Sequence, residues 1–467
     1  MSAFLRLRDG WPGPDAPLRV LAASGQLGLG IPGPAFREGL SRRPHVVAAD
    51  MGSADPGPAY LGSGSMAAPE ALVRRDLALM LEAARAADVP LLIGSAGTAG
   101  AAPHLDATAA ILREVAAERG LSFRLATIRA DLPEALLLRA LEQGRLSAIG
   151  PIGTTPEAVG GGRIVGQMGL SAFARALETG ADVVLAGRAC DTAPFAVVPV
   201  LLGYPAGPAI HMAKILECTS LCCTPGGRDA MLATLRGDGF TLESMAPERA
   251  ATPLSVAAHA LYEQADPDRI DEPEGHADLT EARYEAADER RCSVSGATWS
   301  PRAAPTIRVE GARQVGHRAL MLAAAADPAF IAASEALVAE TRHAVARLIA
   351  PDPADPWRLE IRRYGIDGVI EWPGPPETPP REVFLMAEAL APDAATARGV
   401  AAAARQHLMH AGFPGRLATA GNLAFPLVPA EFDAGPAYAF TLCHILQLES
   451  RAALDALFPV QLEEVAP

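Results

Sequence analysis

Three stretches of this sequence place charged, hydroxyl and small residues where chemistry could be done. GPIGTTPEAVGGGRIVGQMG (150–169) sets Thr154, Thr155 and Glu157 ahead of three consecutive glycines and Arg163. A run of glycines lets a ligand approach the backbone closely. An arginine at its end can clamp a carboxylate through two parallel hydrogen bonds, although a solvated arginine is an equal reading. GRACDT (187–192) brings Arg188, Cys190 and Asp191 together directly after an apolar run. A buried Arg188 needs an anionic partner, which is either Asp191 or a substrate. Cys190 beside that cation is an activated thiolate or an inert buried thiol, the commoner fate of a free cysteine. Asp191 also suits the N-cap of the helix that follows. In HMAKILEC (211–218), His211, Lys214 and Glu217 spread over about 120° of a helix surface and could offer acid–base groups to one cleft. An ordinary Lys–Glu surface pair is the rival reading.

GSAGTAG (94–100) adds Ser95, Gly97 and Thr98, whose hydroxyls and backbone N–H groups suit a carboxylate or phosphate. Its glycines stand at offsets 0, 3 and 6, whereas the dinucleotide fingerprint needs 0, 2 and 5. It also lacks the Lys-Ser/Thr of a P-loop, so NAD and ATP find little support. Asp55, in GSADPGP (52–58), is a further candidate for moving protons. No G-x-S-x-G elbow is present, which removes Ser/His/Asp catalysis. Metal-ligand spacing is missing: His211 and Cys218 lie about 10 Å apart along a helix, and His407 and His410 have no third ligand nearby. No cofactor is therefore expected, with cofactor-free chemistry favoured over the metal-assisted alternative.

These loops need a scaffold, and the first half supplies one in the rhythm of βα units. LRVLAASG (18–25), HVVAADMG (45–52), VPLLIGSAG (89–97), SFRLATIRAD (122–131), LSAIGPIG (146–153) and DVVLAGRACD (182–191) read as buried strands. Their Val/Ile/Leu/Ala runs are continuous, as in strands covered on both faces. Helical spacing fills the gaps at 68–87, 106–120, 133–145 and 167–181. Ligands of open parallel sheets sit beyond the carboxyl ends of the strands, and the four loops 52–58, 94–100, 150–163 and 187–191 are expected to surround one cleft there. After Pro225 the rhythm fails. TIRVEGA (306–312) and LEIRRYGIDGVIEW (359–372) read as strands or hairpin arms with a turn at 366–368, 373–382 as a Pro-rich loop, 388–412 as helix ending at Gly412, and the tail as one more strand.

The expected fold class is therefore α/β, a mostly parallel sheet followed by an α+β second half. The domains are read as 1–225 with the ligand loops, and 226–467. Length fits two or three domains. Acidic residues outnumber basic ones, 54 to 40, and the net charge of −14 disfavours nucleic acid and anionic lipid. The chain shows no apolar run of membrane-spanning length, and its start, MSAFLRLRDGWPGP, lacks the apolar stretch of a signal peptide. A cytoplasmic location is expected, and the six cysteines, none in a CxxC pair, then read as free thiols.

The stretches ADMGSADPGPAYLGSG (49–64), LIGSAGTAGAAPHL (92–105), 150–169, VVLAGRACDTAPFA (183–196), HMAKILECTSL (211–221) and the tail 413–445 resemble the AtuA family, named for acyclic terpene utilisation. The resemblance implies a bacterial catabolic protein, a homo-oligomer or an assembly with a small companion subunit, and a pathway of branched acyl-CoA and carboxylate intermediates. It carries over no catalytic residues.

The sequence thus points to an enzyme acting on a small carboxylate or its acyl-CoA thioester, with hydratase/dehydratase or C–C lyase chemistry. Arg163 and Arg188 would hold the carboxylate, with Ser95, Gly97, Thr98, Thr154, Thr155 and Glu157 around it. Asp55, Asp191, His211 and Lys214 would move protons. Two alternatives stand: a binding or assembly subunit with no chemistry of its own, and a nucleotide-dependent enzyme whose loop 94–100 or 160–163 holds phosphate.

Overall fold

The computed structural model describes all residues except 263, 354–355, 371–373, 375–377 and 418–421. Continuous apolar runs become strands with every residue buried: Val46–Asp50, Leu91–Gly94 and Val183–Ala186 carry no exposed position. With Leu18–Ala22 and Phe123–Ile128 they make the parallel heart of a ten-stranded mixed sheet. Within it the order is Leu18–Ala22, Val46–Asp50, Leu91–Gly94, Val183–Ala186, Phe123–Ile128. All of these strands point the same way, so their carboxyl ends share one edge. Amphipathic helices Glu70–Ala87, Ala102–Arg119 and Leu170–Glu178 connect them and bury Val73, Leu77, Leu112, Phe173 and Leu177.

The remaining strand expected in the first half is a correction. LSAIGPIG gives only the short strand Leu146–Ala148, which leaves the parallel sheet and pairs antiparallel with His444–Leu446. Ser147 and Ala148 are exposed, and a strand wetted this way has no place between two helical layers.

The chain divides into one compact unit of Met1–Arg313 with Phe440–Pro467, and a second of Gln314–Ala439. Residue 225 therefore falls inside the first unit. Met231–Arg236 pairs antiparallel with Leu18–Ala22, and Gly239–Ser244, Arg291–Ser295 and Arg283–Ala286 extend the same sheet beyond it. Val460–Val465 closes the other edge against Phe123–Ile128.

In the second unit, Val383–Ala391 pairs with Arg358–Tyr364 on one side and with 317–325 on the other. Helices Pro328–Leu348 and Ala394–His410 are capped by the Asp327 and Asp393 carboxylates. Leu385, Ala387 and Ala389 pack with Phe330, Leu337, Val400 and Leu408 in one core. Residues 388–391, read as helical from sequence, belong to the strand, and the helix begins only after Asp393. The Pro-rich loop read at 373–382 lies partly outside the described residues, as do the last two residues of the strand read at 359–372. Among the described residues no helix is long and apolar enough to cross a membrane.

Candidate functional site

A cavity of about 280 Å3 lies beyond the carboxyl ends of Leu18–Ala22 and Val46–Asp50, within the first unit. The loop after the first strand contributes Ser24, Gly25, Gln26, Leu29 and Gly30. The loop after the second contributes Asp50, Gly52, Ser53, Asp55 and Pro56. Asp191 enters from the loop after Val183–Ala186, and Glu217, Cys218 and Thr219 from the end of helix Ala206–Leu216. Leu221, Arg228 and Tyr262 complete the wall. Among the described residues of the lining, Asp50, Asp55, Asp191 and Glu217 thus face a single arginine, Arg228. Carboxyl groups set this close together repel unless they are protonated or paired with cations.

Asp50 is the most perturbed of these groups. Its side chain is buried, with 4% of the residue exposed. Oδ2 accepts the Gly52 N–H at 2.7 Å, while Oδ1 has no hydrogen-bond partner among the described residues. Burial, reinforced by the neighbouring Asp191 carboxylate and, more weakly, by Glu217, holds its pKa well above the ordinary carboxylate range, against the pull of Arg188. Gly94 makes room for it: a Cβ there would stand 2.9 Å from Asp50 Oδ1. Thr219 is fully buried, with its Oγ1 also unpartnered and its backbone at φ +52°, a conformation that a β-branched residue rarely adopts.

The neighbours of Asp50 are each tied to a cation. Asp191 Oδ1 accepts from Arg188 Nη1 at 3.2 Å, and Glu217 Oε1 from Lys214 Nζ at 2.6 Å. Lys214 Nζ stands 5.7 Å from the centroid of the Tyr262 ring. Arg188, 3% exposed, directs its other donors to Glu310 Oε2 at 2.9 Å, the Ala189 carbonyl at 3.0 Å and Ser95 Oγ at 3.3 Å. The ion-pair reading of Arg188 thus accounts for its donors.

Of the residues read from sequence, Asp55 and Asp191 line this cavity, and Lys214 reaches it through Glu217. Asp55 is exposed and accepts from Ser53 Oγ at 2.6 Å. His211 does not line the cavity: it is fully buried, bonded to Tyr284 at 3.1 Å and packed edge-on to Phe240. Burial lowers its pKa to about 4. The turn 94–100 lies behind the lining. Ser95 and Thr98 adopt positive φ, Thr98 Oγ1 accepts the Ala67 N–H at 3.1 Å, and a Cβ on Gly97 would meet His104 at 2.8 Å. None of residues 150–163 is part of the lining. Thr154 bonds to His444 at 3.0 Å, Thr155 caps the turn Pro156–Val159 around exposed Glu157, and Arg163 donates to the Gly62 carbonyl. Of the four loops, Gly52, Ser53, Asp55, Pro56 and Asp191 line this cavity.

A second buried acidic group stands behind the 187–192 loop. Glu272, 3% exposed, accepts from Thr192 Oγ1, and burial, opposed by Thr192 but aided by Glu274, raises its pKa to about 8. Burial also pushes the Cys190 thiol well up, which leaves it protonated at neutral pH and supports the inert reading. All six cysteines are free. Among the described residues no group of three or more His, Cys, Asp and Glu is arranged to hold a metal ion.

Sequence reasoning passed over Asp50 and Glu310, while Glu217 had been placed on a helix face turned to a cleft. Asp50 did carry a signal, since it ends an apolar strand and precedes Gly52 at the rim. Glu310 carried none, because nothing in TIRVEGA marks its partner. A family model, acyclic terpene utilisation family protein AtuA, matches residues 67–223 and 240–429. The chain belongs to that family. No curated protein and no solved structure matches it. The AtuA match spans the loops carrying Asp191, Glu217 and Thr219, while Asp50 and the loop 24–30 lie N-terminal to it.

Proposed function

We propose that this AtuA-family protein is a hydratase/dehydratase that acts on a small carboxylic acid as its acyl-CoA thioester. The observation that carries this reading is the buried Asp50 carboxyl, its pKa held well above the ordinary carboxylate range, beside the ion-paired carboxylates of Asp191 and Glu217 in one cavity. Carboxyl groups whose environments push their proton affinities apart divide acid and base roles between them. In the hydration direction, the Asp191 carboxylate takes a proton from water as its oxygen bonds to the β-carbon of a 2-enoyl thioester. The π electrons shift toward the thioester carbonyl, and Asp50 delivers its proton to the α-carbon. The proton gained by Asp191 replaces the one lost by Asp50, so the cycle balances. Dehydration reverses each step.

The cavity volume suits a short acyl group. The test is turnover of 2-butenoyl-CoA and branched 2-enoyl-CoA esters, followed by loss of the conjugated thioester absorbance. The expected result is turnover by the wild type and a rate lower by about 10²–10⁴-fold in a folded Asp50→Asn variant. An inert wild type across that panel, or an Asp50→Asn variant as fast as wild type, overturns the reading.

A further inference from the structure

The cavity wall 24–30 belongs to a loop that looks like an anion receptor. Gly28 and Gly30 both take positive φ, +98° and +99°, and the backbone N–H groups of Gly28, Gly30 and Ile31 converge on one point. Such convergent amides are a familiar way to hold a phosphate or carboxylate. Here the point is already occupied by the chain itself. Asp76, fully buried on helix Glu70–Ala87, accepts Gly28 N–H at 3.1 Å and Gly30 N–H at 2.9 Å on Oδ2. Its Oδ1 accepts Ile31 N–H at 2.9 Å and Arg75 Nη1 at 2.7 Å. Arg75 also donates from Nη2 to the Ile31 carbonyl at 3.0 Å, closing the clasp from outside.

We propose that Asp76 is a positioning residue, a resident carboxylate that fills the anion-binding turn Gly28–Ile31 and so fixes the cavity wall from Ser24 to Gly30. The same loop is anchored at its other end by Leu27 N–H donating to the Asp50 carbonyl at 2.9 Å. Wall and acid are therefore joined through one hydrogen bond, and the turn must be set correctly for Gln26 and Leu29 to face the cavity. A second consequence concerns the ligand. The glycine amides of this loop point at Asp76, so a bound anion finds no receptor in them.

Asp76→Ala leaves a carboxylate-sized hole surrounded by the same donors. Amide exchange of residues 28–31 in that variant is expected to quicken by at least about tenfold, since bonds to a charged acceptor are lost. Exchange in Val46–Asp50 and Leu91–Gly94 should change little. Added formate should refill the hole and restore protection at Gly28, Gly30 and Ile31, with saturation, while leaving the wild type unaltered. Chloride at the same ionic strength should not. Asp76→Asn, which keeps the shape but opposes at least one N–H with an NH2 group, should show intermediate exchange and no response to formate. It is the variant to read if Asp76→Ala does not fold without formate. Unchanged exchange in both variants, or accelerated exchange in Asp76→Ala that formate fails to reverse, overturns the positioning role. The readout needs no substrate. Failure of the hydratase reading would therefore appear as absent turnover with formate rescue intact, and failure of this inference as the reverse.

Discussion

Arg188 Nε donates to Glu310 Oε2 at 2.9 Å, and both side chains are at most 5% exposed. Glu310 Oε1 also accepts from Gln167 Nε2 at 3.1 Å, so the pair sits in a satisfied network rather than in bare apolar packing. Removing Arg188 leaves Glu310 in the interior with the longer ion pair to Arg308 Nε at 3.6 Å. We expect Arg188→Met to cost about 3–5 kcal/mol of stability, measured by urea unfolding. Loss of under 1 kcal/mol would mean that water enters to solvate Glu310.

Glu272 makes stability depend on pH in a definite direction. Burial holds its pKa at about 8 in the folded protein, against 4.5 for an ordinary glutamate. Between those values the folded state keeps a proton that the unfolded chain has released. Stability contributed by this group is therefore fully present below pH 4.5 and is lost as pH rises toward 8. The loss should be on the order of a few kcal/mol. Denaturant unfolding of wild type and Glu272→Gln at pH 5 and pH 8 isolates it, with the wild type falling more steeply. Parallel pH dependence in the two proteins would place the proton elsewhere.

His211 acts in the opposite window. Its pKa falls from 6.5 to about 4 on folding, because burial against Phe240 and Tyr284 disfavours the imidazolium. The unfolded chain takes up a proton first as the medium is acidified, so stability is full above pH 6.5 and declines toward pH 4. His211→Leu should start less stable near neutral pH, through loss of the Tyr284 bond, yet lose about 3 kcal/mol less on acidification. Equal acid sensitivity in both proteins would show that His211 titrates normally.

The parallel strands were legible because burial on both faces writes itself as an unbroken apolar run, as in VVAAD and VVLA. Most of the antiparallel additions were not. TLES and RYEA carry charged positions on a wet face, and short alternations of that kind are indistinguishable from loop. VFLMAEALA fits both a two-residue and a helical period at its end, and the helix that follows captured residues 388–391 in the reading. Around the cavity, Asp55, Asp191, Lys214 and Glu217 had been singled out by position or by helical spacing. Asp50 needs Asp191 and Glu217 beside it before its chemistry departs from that of any strand-end aspartate, and that proximity exists only in three dimensions. The glycine-rich stretch 150–163 stands outside this lining, and turns and closures of the chain need glycine as much as ligand loops do. Gly162 is one such case, since a Cβ there would come within 2.7 Å of the Ala312 carbonyl.

Gly94 offers the sharpest test of how Asp50 is held. It ends the strand Leu91–Gly94, and its register partner across the sheet is Asp50 itself. A methyl group at Gly94 would lie 2.9 Å from Asp50 Oδ1 and 3.3 Å from Pro194 Cγ. Pro194 is fixed in the first turn of helix Ala193–Leu201, so the aspartate side chain is the part that must move. Its Oδ2 bond to the Gly52 N–H would be strained or lost as it rotates. Because overpacking of a filled interior costs about 1–3 kcal/mol, Gly94→Ala should remain folded with a modestly lower melting temperature. Displacement of Asp50 from its dry niche should let its pKa relax toward the ordinary range. Infrared difference spectra against Asp50→Asn should then show the protonated carboxyl band at neutral pH in the wild type and a weakened band in Gly94→Ala. Turnover of 2-butenoyl-CoA should fall along with that band. A Gly94→Ala protein with an undiminished carboxyl band would show that Asp50 keeps its place, and that Pro194 gives way instead.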